Sequence, residues 1–180
     1  MLNTTFTEDL RQKAGKIKLL LLDVDGVLTD GRIIYDSRGR DMKFFDVHDG
    51  LGVHVLRKAG VRTILITAKG SRAIRPRARD MRVEEVIEDI FPKCKSLERI
   101  TKKYKVDINE ICFVGDDLVD LSLMKKVGLP IAVFNACPEI KQAAAYITLR
   151  EGGRGAVREV AELLLKSQGK WQEVLSVYDV

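Results

Sequence analysis

Carboxylates stand directly after two short apolar runs of this sequence. Residues 17–22 lead into Asp23-Val24-Asp25, and residues 111–114 lead into Gly115-Asp116-Asp117, with Asp120 one turn further on. Carboxylates this close repel one another and lose hydration on burial, unless a cation or hydrogen-bond donors compensate them. An oxygen-only site without His or Cys suits Mg²⁺. Any one of these Asp residues alone is more often a cap or turn residue, but two clusters together predict a Mg²⁺ site.

The elements that would position these carboxylates alternate along the chain. Strands are predicted at residues 17–22, 61–66, 83–87, 111–114, 130–134 and 146–148, and helices at 51–59, 71–80, 93–104, 118–127 and 156–165. This alternation implies crossover connections and a mostly parallel sheet, which is a Rossmann-like, three-layer α/β fold. Ligands of such sheets bind beyond the carboxyl ends of the strands, where the acidic residues stand.

One segment interrupts the alternation. Residues 31–35 and 42–45 flank the turn sequence Ser37-Arg38-Gly39-Arg40, which predicts a protruding β-hairpin at about 31–46. A chain of 180 residues without a linker is expected to form a single domain, 1–180. Its tail, at about 170–180, is expected to dock on a neighbour or to fray.

Composition excludes several classes of protein. The net charge is +5, and residues 57–105 hold fifteen Lys and Arg against six Asp and Glu, which fits a solvated face or an anion-binding wall. Nucleic-acid binding is disfavoured, because residues 61–103 contain a single aromatic residue, Phe91. No apolar run approaches the ~18–20 residues of a membrane span, and the amino-terminal stretch is polar. Three Cys without CxxC spacing predict neither disulfides nor a zinc site, so a cytoplasmic location is expected.

Four short motifs carry a family resemblance. The string LLLLDVDGVLTDG resembles the first signature of the haloacid dehalogenase superfamily, and Ile66-Thr67 resembles the second, a Thr or Ser that closes a strand. Lys93, in the spacing KxxxL, resembles the third, and GDDLVD at residues 115–120 resembles the fourth. All four occur in order over most of the chain, so the chain resembles the phosphatases of this superfamily.

The resemblance assigns roles to the carboxylates. Asp23 would attack phosphorus and form an aspartyl-phosphate, and Asp25 would protonate the leaving alkoxide and then activate water. Mg²⁺ would be held by the Asp23 carboxylate, the Asp25 backbone carbonyl and Asp116, and would neutralise charge during the attack.

The resemblance also places two residues at the phosphoryl group. Thr67 would hydrogen-bond its oxygens, and Lys93 would set a positive charge beside them. Lys95 is an alternative to Lys93, since both stand at the start of the same predicted helix; Leu97 completes the KxxxL spacing and favours Lys93.

The chain leaves no room for a cap domain. Residues 25–67 hold only the hairpin and one helix, and residues 67–93 hold only a helix and a short strand. An open site is exposed to bulk water, and phosphate handling benefits from excluding it, so a neighbouring subunit is expected to cover the site.

A finer resemblance covers residues 16–169. DVDGVLTDG, the hairpin, FDVHDGLG and GGRGAVREVAELLL are together similar to the phosphatases of 3-deoxy-D-manno-octulosonate 8-phosphate (KDO 8-phosphate). This resemblance implies a homotetramer with centrally packed hairpins, a phosphorylated acidic sugar as substrate, and a role in supplying the acidic sugar of lipopolysaccharide.

Substrate residues follow from the same resemblance: Asp25, Asp46, Val47, His48, Asp49, Gly50, Lys69, Arg77 and Lys93. Asp49-Gly50 can equally be a plain helix start. Lys69 stands where relatives often have Arg, and Lys cannot make the planar bidentate contact of Arg with a carboxylate. Gly152 to Gly155 resemble an anion-binding turn before a helix.

Two other functions remain open at this point. One is a phosphatase of a nine-carbon acid sugar 9-phosphate, which the Lys69 departure favours. The other is a catalytically inactive, oligomeric binding module, against which the intact acidic residues argue.

Overall fold

A six-stranded parallel sheet forms the centre of the protein. The computed structural model describes residues 7–178. Its strands are β1 (Leu19–Leu22), β2 (Ile34–Tyr35), β3 (Asp41–Met42), β4 (Arg62–Ile66), β5 (Glu85–Ile87), β6 (Ile111–Gly115), β7 (Leu129–Ala132) and β8 (Tyr146–Ile147). The sheet has the order β5-β4-β1-β6-β7-β8, with all pairs parallel. Every residue of β1 and β6 is buried, as the continuous apolar runs of central parallel strands require.

Helices cover both faces of this sheet. They are α1 (Glu8–Gly15), α2 (Val47–Lys58), α3 (Ile74–Met81), α4 (Leu97–Tyr104), α5 (Leu121–Met124), α6 (Pro138–Ala143), α7 (Ala156–Ser167) and α8 (Trp171–Ser176). Helix α7 packs against α1, α2 and α8, while α5 packs against α6 and the 3₁₀ turn Lys93–Ser96 that precedes α4. The predicted three-layer α/β fold is confirmed.

Chain direction creates a crevice between β1 and β6. The chain leaves β1 toward β4 on one side, whereas β6 continues toward β7 on the other. Such a switch point is where open α/β sheets bind their ligands. Asp23 and Asp116 directly follow these two strands, so both carboxylates lie at this crevice.

The protruding hairpin is present but shorter than predicted. Strands β2 and β3 pair through two positions, Ile34 with Met42 and Tyr35 with Asp41. In the turn, the Asp36 carboxylate accepts from Arg38 N at 2.9 Å and Arg40 N at 2.8 Å. These side-chain acceptors explain how so short a ladder keeps its register.

Several elements differ from the sequence prediction. Helices α1 and α6 were not predicted, because each buries only one or two residues and has a weak apolar pattern. The predicted helix 118–127 is a 3₁₀ turn followed by the four-residue α5. The carboxyl-terminal tail forms α8, where the Trp171 ring lies under Lys166 and Arg158; the last two residues of the predicted tail lie outside the described residues.

The segments that could hold a cap hold none within residues 7–178. Between β1 and β4 stand the hairpin and α2, and between β4 and the Lys93–Ser96 turn stand α3 and β5. Within residues 7–178, no helix has the length and apolar character needed to cross a membrane.

The Gly-rich turn before α7 packs directly on the loop that follows β1. Gly153 N donates to Val27 O at 2.8 Å, and Gly153 has φ +65°. A Cβ at this position would lie 2.3 Å from the backbone carbon of Thr29. Glycine is required here both by the left-handed backbone and by the contact, so the turn supports the loop behind Asp23 and Asp25.

We predict that Gly153→Ala is far more destabilising than Gly169→Ala. Gly169 has nearly the same φ, +69°, but no atom lies within 4 Å of an added Cβ. Both variants acquire backbone strain, and only the first also pushes two backbone segments apart. The loss in the free energy of unfolding, measured with urea, should differ by at least about 2 kcal/mol. Equal losses would contradict the contact.

Candidate active site

Asp23 stands at the buried end of β1. Its backbone N–H donates to Val114 O at 3.1 Å, which extends the pairing of β1 with β6. The chain then turns sharply, and the buried Thr29 hydroxyl accepts from Gly26 N and Gly31 N, each at 3.3 Å. The loop thereby keeps Asp23 inside and leaves Asp25 half-buried at the crevice.

Lys93 brings its ammonium to Asp23 from the other side of the site. Nζ lies 2.6 Å from Asp23 Oδ1 and 2.5 Å from Asp120 Oδ1, and Lys93 is fully buried. Burial alone lowers the pKa of an ammonium, but these two carboxylates outweigh it and hold the Lys93 pKa above its usual value. Lys95, the alternative, is exposed. The structure therefore places Lys93 in the acidic cluster.

Asp120 links the two ends of the cluster. One of its oxygens accepts from Lys93, and the other accepts from the backbone N–H of Asp116 at 2.9 Å. The sequence places Asp120 in one of the acidic clusters that predict a Mg²⁺ site, but it indicates no individual role for this carboxylate. Its position, four residues after Asp116 in the chain, is one turn further on. Asp117 instead caps that turn through Leu118 N at 2.7 Å.

Three carboxylates of this cluster share a single positive charge, that of Lys93. One oxygen from each of Asp23, Asp116 and Asp120 lies within 4.8 Å of the others. Burial and the Asp120 charge raise the pKa of Asp23 to about 7, against the effect of Lys93. Burial and the charges of Asp23 and Asp120 raise the pKa of Asp116 to about 8. One ammonium cannot neutralise three carboxylates, so the cluster favours a further cation.

The structure fits a divalent cation at this point. Asp116 Oδ1 is buried and has no hydrogen-bond partner. A Cβ at Gly26, which has φ +87°, would lie 2.0 Å from Asp116 Oδ2, so glycine leaves the space that this carboxylate occupies. Oxygen donors, one of them unpartnered, suit Mg²⁺.

A pocket of about 260 Å³ opens above the cluster. It is lined by Asp23, Asp25, Gly31, Thr67, Ala68, Lys69, Lys93, Asp116, Asp117 and Val119. Thr67 closes β4, and its hydroxyl donates to Lys69 O at 3.0 Å. Lys69 Nζ reaches Tyr35 OH of the hairpin at 3.2 Å. All residues predicted for catalysis and metal binding line this one pocket.

The predicted substrate residues at the start of α2 are not part of the pocket lining. The Asp46 side chain caps α2 by accepting from His48 N at 2.6 Å. Arg77 supports this segment from α3: Nη2 donates to Asp46 O at 2.7 Å, and the guanidinium lies 5.6 Å from the Phe45 ring centre. Val47 and His48 are exposed at the same helix start, and Gly50 contacts Arg77.

Asp49, predicted either as a substrate residue or as part of a plain helix start, is buried in the structure. Its side chain is fully buried and accepts from Arg158 N at 2.8 Å and Gly155 N at 3.3 Å. Burial raises its pKa to about 6. The carboxylate therefore caps α7, and its burial argues against the predicted substrate role. It also occupies the amino-terminal end of α7, so the turn at residues 152–155 already holds its anion.

The fold and the acidic pocket define a class of protein, the haloacid dehalogenase-like hydrolases. A family model of that description matches residues 78–159. The predicted superfamily is confirmed, because an all-parallel sheet with Asp23 after one central strand and Asp116 after the next is the arrangement that its motifs imply.

The chain belongs to the family of 3-deoxy-D-manno-octulosonate 8-phosphate phosphatases. It is 38% identical over 165 residues to that enzyme of Escherichia coli strain B / BL21-DE3, covering 92% of this chain and 88% of the relative. The Moraxella catarrhalis enzyme, solved with magnesium, phosphate and KDO, gives a TM-score of 0.93 at 38% identity and covers 96% and 99% of the two chains. The cobalt-bound Haemophilus influenzae enzyme gives 0.85 at 34% identity, with 88% and 93% covered.

We predict that Asp116→Asn stabilises the metal-free protein at pH 8 and loses that advantage at pH 5. The pKa of Asp116 is raised from 3.8 to about 8, so the free energy of unfolding falls as pH rises through this range. The amide removes that cost, and we expect a gain of about 1–2 kcal/mol at pH 8 in urea with a chelator.

The exposed Asp117→Asn variant is the matched control and should change little at either pH. Mg²⁺ should stabilise the natural protein but not Asp116→Asn. A metal-free Asp116→Asn variant that is no more stable at pH 8 would show that burial and the neighbouring carboxylates do not penalise the ionised form of Asp116.

Proposed function

We propose that this chain hydrolyses KDO 8-phosphate to KDO and phosphate, with Mg²⁺ and an aspartyl-phosphate intermediate. The observation that carries the proposal is the pocket in which Asp23, Asp25, Asp116 and Lys93 converge. Similarity to the KDO 8-phosphate phosphatases over most of the chain supports the choice of substrate.

Asp23 is the proposed nucleophile. A carboxylate oxygen of Asp23 attacks phosphorus in line, the bond from phosphorus to the sugar oxygen breaks, and Asp25 gives its proton to the departing alkoxide. Lys93 already contacts one Asp23 oxygen at 2.6 Å, which holds the carboxylate in one orientation. Asp25 lines the same pocket, in position to serve the leaving group.

The second step regenerates the enzyme. Asp25, now ionised, takes a proton from water, and the water oxygen attacks phosphorus of the aspartyl-phosphate. The bond from phosphorus to Asp23 breaks, phosphate is released and the Asp23 carboxylate is restored. The same half-buried side chain thus acts as acid and then as base, which requires contact with both the buried cluster and solvent.

Three groups would hold Mg²⁺ by this proposal: the Asp23 carboxylate, the Asp25 backbone carbonyl and Asp116. When bound, the ion neutralises negative charge where an anionic nucleophile meets an anionic phosphate. Asp120 keeps Asp116 in place through its backbone N–H. Thr67 lies at the pocket wall, where its hydroxyl, which donates to Lys69 O, would donate to a phosphoryl oxygen instead.

The sugar is proposed to lie toward Lys69, the start of α2 and Arg77. Lys69 supplies a point charge for the sugar carboxylate, in place of a planar bidentate contact. The other predicted substrate residues are Asp46, Val47, His48, Gly50 and Arg77. Arg77 is held beside this segment because it donates to Asp46 O.

We expect Asp23→Asn to abolish turnover, since an amide cannot form the phosphoryl ester. Release of phosphate from a panel of sugar phosphates, with and without Mg²⁺, should favour KDO 8-phosphate over hexose, nucleoside and nine-carbon acid phosphates. The kcat of Asp23→Asn should be lower than that of the natural protein by at least about 10³-fold. A persisting rate in Asp23→Asn would contradict the assignment of Asp23 as nucleophile. A preference of the natural protein for the nine-carbon acid 9-phosphate would contradict the assignment of KDO 8-phosphate as substrate.

We further propose that the chain acts as one capless domain in a homotetramer whose neighbours cover the active sites. Large apolar side chains are exposed around the hairpin, including Ile33 at 60%, Phe44 at 64% and Val47 at 73%. A cluster of this kind is typical of an interface. The enzyme would work in the cytoplasm and supply the acidic sugar of lipopolysaccharide.

Ile33→Arg should therefore reduce both assembly and activity. A charged side chain in a packed hairpin interface has to be desolvated, so the tetramer should dissociate in light scattering and kcat/KM should fall. Val177→Arg, on an equally exposed residue (61%) beyond α8, is the control. A monomeric natural protein with full activity would contradict the proposed cover.

A further inference from the structure

A buried lysine of the hairpin contacts Asp25. Lys43 Nζ lies 2.5 Å from Asp25 Oδ1 and 3.7 Å from Asp41 Oδ2, and the Lys43 side chain is only 7% exposed. Asp25 itself is 32% exposed. Because an ammonium is costly to desolvate, a lysine in this position has to be held by a specific partner. Neither the motifs nor the composition pointed to Lys43.

Strand alternation explains why this lysine points inward. Met42 and Phe44 are exposed at 47% and 64%, whereas Lys43 between them is buried. Lys43 and Phe44 follow β3, which ends at Met42, and they continue its alternation of faces, so the apolar side chains are exposed and Lys43 turns inward. The hairpin that we expect to meet a neighbouring subunit therefore also reaches the active site.

We propose that Lys43 is a positioning residue for Asp25: it anchors Oδ1, so that the other carboxylate oxygen faces the reacting group. This inference rests on the proposed role of Asp25 as acid and base. Proton transfer demands a donor in hydrogen-bond reach and correct orientation, and a half-exposed Asp has rotational freedom that a fixed ammonium removes.

The surroundings favour positioning over substrate binding. Among the described residues, Asp25 lines the pocket and Lys43 does not. The Lys18–Glu110 pair has the same 2.5 Å separation, yet its lysine is 61% exposed, as an ordinary surface pair is. Lys43 differs because it is enclosed and its partner reaches the pocket.

The test compares two substrates of similar shape with different leaving groups. p-Nitrophenolate departs without a proton, whereas phenolate gains more from an acid. Lys43→Met should lower kcat/KM roughly 10- to 100-fold on phenyl phosphate and less than about threefold on p-nitrophenyl phosphate. The value of kcat/KM reports only the steps up to formation of the phosphoenzyme, and these are the steps in which Asp25 acts as acid. Lys43→Arg should recover part of the loss, and Lys18→Met is the matched control.

Each other outcome overturns the proposal. Equal losses on both esters would mean that Lys43 supports phosphate binding or folding, and a change in KM alone would make it a binding residue. No loss would make the contact irrelevant to catalysis. Far-ultraviolet circular dichroism and urea unfolding of Lys43→Met separate a folding defect from a kinetic one.

The outcome is distinguishable from failure of the proposed function. If the natural protein cleaves aryl phosphates but not KDO 8-phosphate, the proposed substrate is wrong, but the comparison of the two esters still tests the role of Lys43. If it cleaves neither, nitrogen-15 spectra of lysine ammonium groups test the contact directly. A slowly exchanging signal lost in both Lys43→Met and Asp25→Ala is expected, and its persistence in Asp25→Ala overturns the contact.

Discussion

The buried ammonium of Lys93 is the interaction on which the rest of the site depends. It joins Asp23, which follows β1, to Asp120, which follows the turn after β6. Asp120 in turn fixes the backbone of Asp116. A single lysine thus ties together the ends of the two central strands. Without its charge, three carboxylates whose oxygens lie within 4.8 Å of one another could not share the crevice.

The carboxylates of the cluster outnumber its one ammonium, and this excess of negative charge favours the binding of a cation. Lys93 compensates part of the negative charge, while burial and the neighbouring carboxylates still raise the pKa values of Asp23 and Asp116. The remaining negative charge favours a cation, and a bound cation would in turn reduce the repulsion of an anionic phosphate. The glycines behind it serve the same end, since Gly26 makes room for Asp116 and Gly153 lets a second turn press on the catalytic loop.

The sequence predicted those features of the fold and the site that leave a local pattern in the chain. Continuous apolar runs that end in Asp identified β1 and β6, and the motif spacing identified Lys93 and Thr67. Contacts between distant segments left no such signal. Lys43 meets Asp25 across 18 residues, and Asp49 meets Arg158 across 109. Strand alternation shows which face a side chain takes but not what lies opposite, so Asp49 stayed open between substrate binding and a helix start, and Lys43 was overlooked.

The aspartyl-phosphate is the central claim, and chemical trapping tests it most directly. The enzyme is mixed with substrate and Mg²⁺, quenched in acid during turnover and reduced with borohydride, which converts an acyl phosphate to an alcohol. Mass spectrometry of the peptides should then show homoserine at position 23 in the sample with substrate and aspartate in the sample without it. Intact Asp23 in an enzyme that was turning over, or homoserine at another carboxylate, would contradict the assignment of Asp23 as nucleophile.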